Sequence, residues 1–156
     1  MAKKHIRNLI HGINCTGVFM QLAGTTGELP DLAIIKPIAD EFRSNDNVLA
    51  LILFGSVVRG QARRISDIDL CIITKKGITE SECMNLLSYG SERVDVSLFF
   101  ALPLTIRFRV IKEGKILFSK DSLALHRLKA DTVREYLDRA PLIRRHCLRA
   151  MNVSRV

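Results

Sequence analysis

The sequence predicts an α/β chain: a small mixed β-sheet flanked by helices, in one domain long enough to bury a core. Three observations carry that reading. Short, continuous apolar runs such as VLALILF (48–54) have the look of strands covered on both faces. Between them lie segments whose apolar residues recur at helical spacing. Turn residues separate the two kinds of segment, and no apolar run approaches the ~20 residues of a membrane span.

The elements follow in order. Residues 1–29 form an N-terminal extension of open role, closed by the turn-rich GTTGELP (24–30). Basic residues precede a mildly apolar patch there, but His11, Asn14 and Gln21 interrupt it, which argues against a signal peptide. A core is expected over 30–120. Pro30–Arg43 predicts a helix, with Leu32, Ile35, Ile38, Ala39 and Phe42 on one stripe. Val48–Phe54 predicts a strand; Gly55 marks a sharp turn, and Ser56 is expected to open a short helix. Asp67–Thr74 (DIDLCIIT) predicts the next strand, Thr79–Tyr89 a helix, and Arg93–Phe100 (RVDVSLFF) a third strand. Pro103–Lys112 predicts a helix with Pro in its first turn, and Lys115–Phe118 a fourth strand. A C-terminal helical segment, 121–156, is expected to pack on the core. Asp121–Arg139 is amphipathic through Leu125, Leu128, Val133, Leu137 and Ala140, and Pro141 is expected to start a separate last helix through Met151.

Composition narrows the function. The chain of 156 residues has a net charge of +8, which suits nucleotides, nucleic acid or an acidic partner. The charge is spread out and lacks the interleaved aromatics that stack bases, so nucleic acid is not the expected partner. Cys15, Cys71, Cys83 and Cys147 show no zinc-like or redox spacing; Cys71 reads as a small buried hydrophobe, and a reduced, cytoplasmic protein is expected. His5, His11 and His126 show no ligand spacing, and Tyr89 and Tyr136 read as packing residues. Residues 121–156 hold eight Lys and Arg against four Asp and Glu, a solvated basic face or a docking surface for an acidic partner. Arg139 and His146 match an Arg-x(4–6)-His spacing found in helical RNases, but Pro141 between them and the absence of a four-helix bundle make this a chance match.

The chemistry concentrates in GSVVRGQARRISDIDLCI (55–72). Residues two apart on a strand share a face, so Asp67 and Asp69 point together while Ile68, Leu70 and Ile72 point into the core. Two adjacent carboxylates repel unless a cation sits between them, and hard oxygen ligands suit Mg²⁺ or Mn²⁺. Asp95, in RVDVSLFF, repeats the pattern: with its strand beside the first, three acids on one face could hold two ions ~3.5–4 Å apart, the clamp of phosphoryl transfer. Gly55 permits a tight turn, Ser56 at a helix N-terminus could meet a phosphate, and Arg59 adds positive charge one turn on. A phosphate cradle would thus adjoin a metal cradle, the layout for binding Mg-nucleoside triphosphate and transferring its α-phosphoryl group.

A strand, GS, about ten residues, DxD, and a later strand with a single Asp: this pattern, here LFGSVVRGQARRISDIDLCII and RVDVSLFF, resembles the DNA polymerase β-like nucleotidyltransferase superfamily. The form GSxxRGxxxxxSDIDL is similar to the minimal nucleotidyltransferases, or MNT proteins, and LPLTIRFRVIKEGKILFSKD extends the likeness over roughly 32–120. The resemblance implies that Asp67 and Asp69 ligate two Mg²⁺ (or Mn²⁺) ions and that Asp95 ligates the catalytic one and helps activate the acceptor hydroxyl. It implies that Gly55 and Ser56 hold the triphosphate of ATP with Arg59 near it, and that Ser66 makes a phosphate or supporting contact. Many relatives carry Ala where this chain has Val58, a packing difference. MNT proteins of this size act as antitoxins that move AMP from ATP onto a tyrosine of a HEPN toxin, which implies a toxin partner. The alternatives are a non-catalytic antitoxin acting by occlusion, or nucleotidyl transfer to a small molecule or RNA. The base of the nucleotide and the oligomeric state stay open.

Overall fold

A computed structural model describes residues 32–59 and 67–153. Helix α1 (Leu32–Ser44) leads into strand β1 (Val48–Phe54), followed by β2 (Ile68–Thr74), α2 (Glu80–Leu87) and β3 (Val94–Leu98). A single 3₁₀ turn (Phe99–Ala101), α3 (Leu104–Glu113), β4 (Lys115–Ser119) and α4 (Ser122–Val153) complete the described chain. The strands form one mixed sheet in the order β3-β2-β1-β4. β1 runs antiparallel to both β2 and β4, whereas β2 and β3 are parallel, joined across α2. That is the connection a parallel pair requires, because a tight hairpin cannot return the chain in the same direction.

Each face of the sheet carries its own apolar layer, which explains the unbroken apolar runs of β1 and β2. On one face Leu51, Leu53, Ile68, Leu70, Ile72, Val94 and Val96 pack with Ile35, Ala39 and Phe42 of α1 and Leu86 of α2. On the other, Ala50, Ile52, Cys71 and Ile73 pack with Phe99, Val110 and Ile111 and with Leu125 and Val133 of α4. Asp69 and Asp95 alternate with the first set, so they lie on the second face, at the end where β2 and β3 begin.

Local chemistry fixes the element ends. Thr79 caps α2: the Glu82 amide donates to its hydroxyl, and the Thr79 amide donates to the Glu82 carboxylate in return. The Asn47 side-chain amide donates to the other Glu82 oxygen at 2.7 Å, tying the start of α2 to the turn before β1. Gly114 follows α3 where a Cβ would stand 2.4 Å from the Val110 carbonyl and 2.5 Å from the Ile52 side chain.

Three expectations change. The third strand is shorter than Arg93–Phe100, because Phe99 leaves the ladder to fill the second core from a 3₁₀ turn. Pro141 does not start a new helix: α4 is continuous from Ser122 to Val153. Pro141 lacks the N–H that would meet the Leu137 carbonyl, but Leu137 is itself 48% exposed, so water can satisfy that carbonyl and the helix persists. Ser56 does not open a helix within the described residues: Ser56–Arg59 is a turn. Among the described residues no helix is long and apolar enough to cross a membrane.

Candidate active site

The site is built at one end of the sheet from the close of β1 and the openings of β2 and β3. Phe54 pairs with Asp69, and Asp69 pairs with Asp95, so the three form one row across three strands. The apolar alternation of β2 and β3 faces Ile68, Leu70, Val94 and Val96 into the α1 side, which leaves the aspartates between them no choice but the opposite face. Asp67 stands just before β2, whose first amide, Ile68 N–H, is held by the Arg93 carbonyl at 2.9 Å. Asp67 and Asp95 are exposed and Asp69 is half-buried.

Gly55 follows Phe54 with φ +83°, a left-handed conformation that L side chains rarely adopt. A Cβ on Gly55 would fall 1.8 Å from Oδ2 and 2.7 Å from Cγ of Asp69. The backbone of the Gly-Ser turn therefore lies directly against the central carboxylate. Ser56 is partly exposed at that turn, Val57 is buried beneath it, and Val58 packs against the first core. Ser66 lies outside the described residues.

The electrostatics are those of an acid cluster that is only partly offset by positive charge among the described residues. Partial burial raises the Asp69 carboxyl above its ordinary 3.8, and the charges of Asp95 and then Asp67 raise it further, while Arg59 opposes them. Arg59 is thus close enough to act on Asp69. Its Nη1 also stands 3.9 Å from Oε2 of Glu113 at the end of α3. No motif marks Glu113; its one signal in the sequence is its place in the Glu-Gly-Lys stretch.

The donor set fits a hard divalent cation by its chemistry: Asp69 and Asp95 are paired on neighbouring strands and Asp67 stands just before β2, acceptor-only carboxylates whose charge Arg59 offsets only in part among the described residues. Among the described residues no three His, Cys, Asp or Glu side chains are already gathered as a ligand set.

A family model described as "Polymerase beta, Nucleotidyltransferase" matches residues 36–123. A protein of Methanocaldococcus jannaschii, provisionally named a protein adenylyltransferase, is 28% identical over 74 residues, a match covering 47% of this chain and 58% of the relative. The chain thus spans just over half the length of that curated relative. Among solved structures, the crystal structure of a toxin-antitoxin with AMP-PNP is similar with a TM-score of 0.52 and 20% identity, over 74% of this chain and 97% of that one. The crystal structure of the toxin-antitoxin MntA-HepT gives the same TM-score and coverage at 19% identity. At such identities the likeness is one of fold.

Proposed function

Because this chain belongs to the polymerase beta nucleotidyltransferase family, we propose that it transfers AMP from ATP to a hydroxyl of a partner protein, a HEPN-type toxin, in the cytoplasm. The observation that carries this reading is the Phe54–Asp69–Asp95 row with the Gly55 backbone pressed against Asp69, which sets a phosphate-sized turn beside an acid cluster. The provisional naming of the jannaschii relative as a protein adenylyltransferase and the toxin-antitoxin identity of the structural neighbours support the acceptor class.

Asp67, Asp69 and Asp95 would hold two Mg²⁺ ions. Bound there, the ions would neutralise the triphosphate and the charge that develops on the attacking and leaving oxygens. The residues of the chain do the rest. Gly55 and Ser56 offer backbone and hydroxyl donors to the triphosphate, and Arg59 adds a fixed charge beside it. Ser66 is assigned a supporting phosphate contact on the motif alone. The acceptor oxygen attacks the α-phosphorus in line, its proton passes to the Asp95 carboxylate, and the bond to the β-phosphate oxygen breaks to release pyrophosphate.

The test is transfer of label from ATP carrying a labelled α-phosphate to a HEPN-type protein of the same organism. Wild type should label the toxin in a magnesium-dependent way, and Asp67→Asn/Asp69→Asn should not. Neutralisation of the toxin by the double variant, with no label transferred by either protein, would establish occlusion instead.

A further inference from the structure

The opposite end of the sheet has a different character. A cavity of about 590 Å³ opens between the end of β2, the 3₁₀ turn and α4. A second, of about 470 Å³, adjoins it and shares Thr74, Lys75, Lys76 and Phe100. β2 separates this cleft from the acid cluster: Asp67 precedes the strand and Lys75 follows it, roughly 25 Å apart at ~3.3 Å per residue.

Two properties of the lining stand together. The floor is apolar, made by Leu49, Ile73 and Leu128, and Phe100 remains 51% exposed above it, its ring set edge-on at 5.5 Å against buried Phe99. The rim is cationic. Lys75, Lys76 and Arg127 have neither ion pair nor side-chain hydrogen bond among the described residues. Arg107 pairs with Glu135 at 3.6 Å, yet its Nε is buried without an acceptor. The acids present are already engaged, Asp131 with Arg134 at 2.8 Å and Glu135 with Arg107 and Arg139. A buried donor without a partner, beside three uncompensated cations, calls for an anionic acceptor. The apolar floor and half-exposed ring call for an apolar or aromatic body attached to it, and the volume lies in the range of small-ligand sites.

We propose that this cleft is a second ligand site, for a carboxylate or phosphate carried on an apolar or aromatic body, with Lys75, Lys76 and Arg127 taking the anion and Phe100 the body. The two ends differ in charge: the acid cluster attracts cations, and this cleft repels them. The inference is independent of the transferase reading, because nothing in it uses the acid cluster.

The test uses 1-anilinonaphthalene-8-sulfonate, an aromatic sulfonate, as fluorescent probe on the full chain at neutral pH. Wild type should bind one equivalent saturably. Lys75→Glu/Lys76→Glu should bind it at least ~tenfold more weakly, since two reversed charges oppose the anion at close range. Both lysines are exposed, so the variant should keep the wild-type circular dichroism and melting temperature. Phenyl phosphate should displace the probe at concentrations where inorganic phosphate does not. The peptide Asp-Phe-Glu-Phe displacing it better than phenyl phosphate would place the anion on a protein segment; the reverse order would place it on a small molecule. Equal probe binding by wild type and the double variant, or phenyl phosphate no better than inorganic phosphate, would overturn the proposal.

Discussion

The backbone of Gly55 and the carboxylate of Asp69 are in such close approach that one added methyl at position 55 would stand 1.8 Å from Asp69 Oδ2. The Gly-Ser turn and the central acid are therefore one structural unit. A side chain at position 55 would displace Asp69.

Gly55→Ala tests that coupling, and Gly77→Ala is its internal control. Both glycines are left-handed, at φ +83° and +82°, but a Cβ on Gly77 would meet nothing within 4 Å. Gly77→Ala should cost only the backbone term, about 1–2 kcal/mol, and spare nucleotide binding. Gly55→Ala should cost that and more, and should lose nucleotide binding as Asp69 is displaced. Denaturant unfolding and nucleotide titration of the two variants make the comparison; equal behaviour would dissolve the coupling.

Partial burial of Asp69, with the like charges of Asp95 and Asp67 beside it, predicts that the ion-free protein is stabilised by Asp69→Asn. The sign follows from linkage: the folded state raises this carboxyl above 3.8, so it holds its proton more tightly than the unfolded chain does. The penalty is absent below the ordinary value and grows as pH rises through the raised one. In chelator, the variant should melt above wild type at pH 7 and level with it near pH 3. Magnesium should raise the wild-type melting temperature and leave that of Asp69→Asn nearly unchanged.

Much of this site was legible in the sequence because apolar alternation in β2 and β3 dictates which face the aspartates take. The expectation that Asp95 lies beside Asp69 holds in the Asp69–Asp95 register. What alternation could not supply is contact across the fold. The press of Gly55 on Asp69, the approach of Glu113 to Arg59, and the cleft joining Lys75 to α4 all depend on how distant segments meet. Pro141 misled for a local reason: a proline predicts a helix start or break, but at an exposed position a long helix tolerates it.

The start of α2 should be a measurable source of stability. Thr79→Ala removes the cap and should cost ~1 kcal/mol in urea unfolding. Glu82 is held below its ordinary 4.5, first by the Thr79 amide, then by the Thr79 hydroxyl and Asn47. Its contribution is present at neutral pH and lost as pH falls through the lowered folded value. Wild type and Glu82→Gln should therefore differ at pH 7 and converge in strong acid.

Cys71 should behave as core. It is fully buried within β2, and burial pushes its thiol up to about 12. A thiol-specific label at pH 8 should reach Cys71 only at the rate of unfolding, as read by mass spectrometry of the labelled peptides. Cys83, which is partly exposed, should label in the folded protein. Fast labelling of Cys71 without denaturant would contradict the described core.

The most direct single measurement is calorimetric titration of a non-hydrolysable ATP analogue into wild type and into Asp67→Asn/Asp69→Asn, each with magnesium and with chelator. Binding by wild type that requires magnesium, and is lost in the double variant, is the expected result. Binding that ignores the metal, or that the double variant retains at full strength, would contradict a nucleotide site built on Asp67, Asp69 and Asp95.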